Sequence, residues 1–121
     1  MQNIGKFKEA ELLYRKAIEL NPNFANAHYN LGRLLKELGN LKEAEVSYRK
    51  AIELNPNFAN AHYNLGRLLK ELGNLKEAKL SYRKVIEIEP DYAKAYYSLS
   101  LFKYSASFNF PKSLKMSPRL Q

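Results

Sequence analysis

Polar residues able to recognise a ligand recur at a fixed spacing along this 121-residue chain. Asn26, Tyr29, Asn30, Arg33 and Lys36 are followed 34 residues later by Asn60, Tyr63, Asn64, Arg67 and Lys70, and Lys94 and Tyr97 continue two of these series. Asparagine amides both donate to and accept from a peptide backbone, whatever its side chains. Tyrosine adds rigid apolar area with a hydroxyl, and arginine and lysine favour carboxylates. Such a set suits an extended, somewhat acidic peptide. Catalytic chemistry has no comparable foothold: His28 and His62 lie one spacing apart with no carboxylate near them in the pattern, and they read as packing residues. Ser47 and Ser81 recur without a base, no phosphate-cradling glycine loop is present, and no metal or cofactor is expected. The expectation is a binding module and not an enzyme.

The elements that must position these residues come from an internal repeat. Asn21 to Ala44 recurs without change as Asn55 to Ala78, a period of 34 residues. A third register starts at Ala93 and fades after about Tyr104, and the first 20 residues match the second half of the unit. The predicted array covers 1–104: a half repeat at 1–24, whole repeats at 25–58 and 59–92, and a half repeat at 93–104. Residues 105–121 are expected to form an irregular or disordered basic tail.

Each unit reads as two helices. Gly39 and Gly73 end the first helix in the left-handed conformation, Asn40 and Asn74 cap the second with Glu43 or Glu77 three residues on, and Pro22, Pro56 and Pro90 separate the units. At 100° per residue Phe24, Ala27, Leu31, Leu34, Leu35 and Leu38 share one side of the first helix, and Leu41, Ala44, Tyr48, Ala51 and Ile52 form the buried stripe of the second. No single unit buries these faces alone, so the units stack into an all-α array.

The run HYNLGRLLKELGNLKEAEVSYRKAIELNP resembles the tetratricopeptide repeat, with Leu31, Gly32, Ala44, Tyr48, Ala51 and Pro56 at that family's signature spacing and Leu65, Gly66, Ala78, Tyr82 and Pro90 one period later. His28 and His62, Val85 and Ser100 depart from its usual residues. The resemblance implies a right-handed α-solenoid of antiparallel helix pairs whose first helices line a concave groove. Its inner columns would be Asn26/Asn60/Lys94, Tyr29/Tyr63/Tyr97, Asn30/Asn64/Ser98, Arg33/Arg67/Leu101 and Lys36/Lys70/Tyr104, and its partner a peptide or protein. The wording of the repeats is most similar to the arrays that precede O-linked N-acetylglucosamine transferase domains, where an asparagine ladder holds peptide backbone; Asn30 and Asn64 match it. The five-residue carboxylate clamp of co-chaperone repeats is matched only at Asn64 and Lys94, so that mode is not expected.

Composition narrows the alternatives. There is no cysteine, hence no disulfide framework and no thiolate metal site. The first residues alternate charge with apolar side chains, which argues against a secretory signal or membrane anchor and for a cytoplasmic protein. The net charge of +8 is uneven: residues 93–121 hold five bases and no acid. The tail is thus a second route to acidic partners or nucleic acid, ranked below the groove. Because Met1 falls inside what should be the first helix of a unit, the chain is expected either to belong to a longer array, such as one fused to a transferase, or to pair as a homodimer through its incomplete ends.

Overall fold

In the computed structural model residues 4–109 are described, with side chains as far as residue 102. Six helices follow one another: α1 (Ile4–Leu20), α2 (Ala25–Glu37), α3 (Leu41–Leu54), α4 (Ala59–Glu71), α5 (Leu75–Ile88) and α6 (Ala93–Asn109). Among the described residues there is no strand. Helices α2 with α3 and α4 with α5 form the antiparallel hairpins, and α1 and α6 flank them as unpaired halves. The fold is the expected all-α solenoid.

Local chemistry explains the breaks. Gly39 and Gly73 take φ of +87° and +86°, a conformation that side chains disfavour. The Gly39 N–H donates to the Lys36 carbonyl at 3.0 Å and the Asn40 N–H to the Leu35 carbonyl at 2.8 Å, the two bonds of a Schellman turn, repeated at Gly73 and Asn74. Asn40 and Asn74 do occupy the N-caps, yet neither side chain bonds a helix N–H. The Asn40 backbone, at φ −88° and ψ 73°, stops short of the extended geometry from which a cap side chain reaches forward. The Asn74 amide donates to Glu77 Oε1 instead, at 2.9 Å.

Between units, the Asn23 N–H donates to Asn21 Oδ1 and the Asn57 N–H to Asn55 Oδ1, each at 3.3 Å, closing Asx turns. His28 Nε2 donates to the Pro22 carbonyl and His62 Nε2 to the Pro56 carbonyl at 2.9 Å, and the Tyr96 hydroxyl donates to the Pro90 carbonyl at 2.7 Å. One register position thus ties each first helix to the turn before it. Burial holds the His62 imidazole below its usual pKa, although the bond to Pro56 favours the proton. A lowered histidine is protonated first in the unfolded chain, so stability falls as pH drops below the usual value of 6.5 and the loss levels off below the folded value. Urea unfolding between pH 7.5 and pH 5 should therefore show a weaker pH dependence for His62→Gln than for the parent; parallel curves would show that the imidazole has no such role.

Packing depends on one close approach per unit. A Cβ at Gly32 would lie 2.7 Å from Tyr48 Cδ1, and one at Gly66 would lie 2.8 Å from Tyr82 Cε1, so each tyrosine ring rests on the backbone of the facing helix. Leu31, Leu35, Tyr48, Leu65, Leu68 and Leu69 fill one continuous core, and Val85 joins Ala59 and Ala95 in a second cluster. Valine therefore fits where the preceding unit has Ala51. Arg15 pairs with Glu43 at 2.7 Å and Arg49 with Glu77 at 2.9 Å, linking successive second helices.

Two expectations shift. Phe24, on the covered side by periodicity, is 43% exposed and has no ring partner among the described residues, whereas its counterpart Phe58 packs on Tyr29. Helix α6 continues through Asn109, so residues 105–109 are helical and not irregular. Residues 110–121, which carry most of the expected basic tail, lie outside the described residues. The aliphatic series Leu12, Val46 and Leu80 is exposed. No helix among the described residues is long and apolar enough to cross a membrane.

Candidate ligand groove

Helices α2 and α4 touch directly, which places side chains 34 or 35 residues apart within bonding reach. The Asn64 amide donates to the Tyr29 hydroxyl at 2.7 Å, and the hydroxyls of Tyr63 and Ser98 lie 3.5 Å apart. The Tyr92 hydroxyl donates to Asn60 Oδ1 at 2.6 Å, and Lys36 Nζ lies 3.5 Å from Glu71 Oε1. Beneath them the rings interlock: Tyr29 stands 6.0 Å from Tyr48 and 4.8 Å from Phe58, and Tyr63 stands 5.6 Å from Tyr82 and 5.4 Å from Tyr92. Desolvation raises the Tyr29 phenol above its ordinary pKa and pushes Tyr48 up to about 12, so both stay neutral hydroxyls.

The Asn30 and Asn64 amides are therefore not equivalent rungs. Asn64 has one side-chain N–H committed to Tyr29, while the Asn30 side chain has no hydrogen bond among the described residues. Asn30, Arg33 and Lys36 of α2 meet Asn64 and Arg67 of α4 around an open cavity of about 420 Å³. Phe7, Ala10 and Tyr14 of α1 form its other wall, with Leu34, Glu37 and Tyr48. Arg33 sits 5.9 Å over the Tyr29 ring, and neither Arg33 nor Arg67 has an ion-pair partner among the described residues. The remaining expected positions stand apart from this cavity. Asn26, Asn60, Lys94 and Tyr97 are exposed elsewhere, Lys70 lies 5.5 Å over the Phe102 ring, and Tyr29 and Tyr63 are half-buried supports. The α1 wall and Glu37 were not among the expected site residues; aligning α1 with α3 at the 34-residue period is the signal that could have found them. Among the described residues no cluster of histidine, aspartate and glutamate could hold a metal ion.

Three family models describing the tetratricopeptide repeat match residues 13–46, 32–73 and 59–92, together the continuous stretch 13–92. The chain belongs to the tetratricopeptide repeat family. Solved repeat structures are similar along most of it. MamA superimposes with a TM-score of 0.79 at 30% identity, over 84% of this chain and 60% of that one. The first repeat domain of Spaghetti (RPAP3), solved with the HSP90 peptide SRMEEVD, gives 0.78 at 28% identity, over 84% of this chain and 80% of that one. YrrB, described as having an unusual peptide-binding site, gives 0.73 at 30% identity, over 80% of this chain and 50% of that one. This tetratricopeptide chain thus spans 60% of MamA and half of YrrB. No curated protein matches its sequence.

Proposed function

We propose that this chain is a non-catalytic interaction module that holds an extended acidic segment of a partner protein in its groove. The observation that carries this is the convergence of Asn30, Arg33, Asn64 and Arg67 on one open cavity. Lys36 is already matched by Glu71, so the two arginines supply the positive charge left for a ligand carboxylate. The free Asn30 amide, and the Asn64 carbonyl left over from its bond to Tyr29, serve the ligand backbone. The peptide bound by the Spaghetti domain, which holds three acidic residues in seven, supports an acidic ligand for a fold of this kind. The sequence resemblance to transferase-linked arrays supports backbone-held binding.

The test is an amide-resonance titration of the intact chain with an acidic heptapeptide. The largest shifts should fall on residues 26–36 and 60–70. Shifts confined to the outer series of Leu12, Val46 and Leu80 would remove the groove from the account.

A further inference from the structure

From Ala25 and Ala59 onward the two whole repeats are identical until Glu45/Lys79 and Val46/Leu80, and both changes fall on the second helix. On α3 the charges of this face are neutralised. Glu45 lies 3.9 Å from Lys42 and 3.0 Å from Arg49, and Arg49 also reaches Glu77 of α5 at 2.9 Å. One period later Lys76, Lys79, Leu80 and Arg83 stand at i, i+3, i+4 and i+7, a single face of α5. With lysine in place of the glutamate, none of the three cations has an ion-pair partner among the described residues. The acids nearest them on α5 are taken, Glu77 by Arg49 and Glu87 by Lys84 at 3.1 Å. In the register where Arg49 finds Glu77, Arg83 meets Pro111 in the sequence, and residues 93–121 contain no acid. Lys79 lies 5.7 Å over the Phe102 ring, which orients its ammonium without neutralising it. Among these cations Leu80 is 57% exposed. Its openness belongs to the position: salt bridges join α3 to a second helix on each side, α1 and α5, yet Val46 is 66% exposed.

We propose that this face of α5 is a docking site for an acidic amphipathic helix of a partner protein, whose carboxylates bracket an aliphatic side chain resting on Leu80. Charge complementarity selects the acids, which meet Lys76, Lys79 and Arg83. The aliphatic centre selects a polypeptide over a nucleic acid, whose phosphates have no use for Leu80. A second copy of this chain is a poor occupant, since it carries a net charge of +8 and its second helices interleave every acid with lysine or arginine. A bilayer surface would also cover Glu87, one turn beyond Arg83, and set anionic headgroups against its carboxylate; a helix lying across α5 avoids it. The site shares no residue with the cavity of the groove and stands independently of that reading.

The probe is a fluorescently labelled, alanine-based helical peptide with glutamate at i, i+3 and i+7 and leucine at i+4, titrated with the full chain at low ionic strength and read by anisotropy. Saturable binding that weakens with added salt is expected. Lys79→Glu installs the residue that the preceding repeat carries in the same setting. It should weaken the peptide about tenfold, because it removes one cation and occupies the other two. Leu80→Ser should weaken it about threefold through lost apolar contact. Binding of an extended acidic heptapeptide in the groove should be unchanged by Lys79→Glu. Absence of saturation, unchanged affinity in Lys79→Glu, or equal weakening of both peptides by it would overturn the proposal, the last by showing that overall charge and not this face is read. Phosphatidylserine vesicles or a single-stranded oligonucleotide that bind more tightly than the peptide, and release with Lys79→Glu, would overturn it in favour of a phosphate surface.

Discussion

Tyr48→Ala is expected to lower the unfolding free energy by about 3–5 kcal/mol, the usual cost of deleting a large buried ring, whereas Tyr48→Phe should change it by less than about 1 kcal/mol. The ring is 1% exposed and lies on the Gly32 backbone within the core that joins α2, α3 and α4. Its removal opens a cavity that cannot close, because Gly32 has no side chain to move into the space. The hydroxyl has no hydrogen-bond partner among the described residues, so deleting it alone leaves no group stranded. The loss falls first on the α2–α3 hairpin of one repeat, where the ring meets Gly32, and reaches the next repeat through the core shared with α4. Urea denaturation followed by far-ultraviolet circular dichroism measures both variants. A Tyr48→Phe loss as large as that of Tyr48→Ala would show that the hydroxyl, and not the ring, carries the stability.

Arg33→Ala combined with Arg67→Ala is expected to weaken binding of an acidic peptide by about 10- to 100-fold, because each charge-assisted hydrogen bond is worth about 1.5–3 kcal/mol before solvent screening reduces it. Both guanidinium groups are exposed, which is why the lower end of that range is included. Calorimetric titration of the parent and the double variant gives the ratio. Replacing the peptide's carboxylates with amides should produce a similar loss on the parent chain and little more on the variant. Full affinity in the double variant would remove the arginines as carboxylate contacts. The fold should be unaffected, since both side chains are exposed and among the described residues neither forms an ion pair or side-chain hydrogen bond.

The pattern of helices and the 34-residue period were legible in the sequence because their causes are local. A glycine held at positive φ ends a helix wherever it stands, and apolar spacing selects a buried face before any neighbour is known. The pairing of side chains between helices was not legible, because it depends on crossing distances that periodicity does not encode. Only the folded chain matches Asn64 to Tyr29, offsets Lys36 with Glu71, carries His28, His62 and Tyr96 back onto prolyl carbonyls, and leaves Asn40 without a cap bond. The stretches 21–44 and 55–78 are identical in sequence, yet Phe58 is packed and Asn64 bonded while Phe24 and Asn30 are open. Identical residues differ there because α4 has α2 beside it, whereas among the described residues no first helix lies beside α2 on the corresponding side.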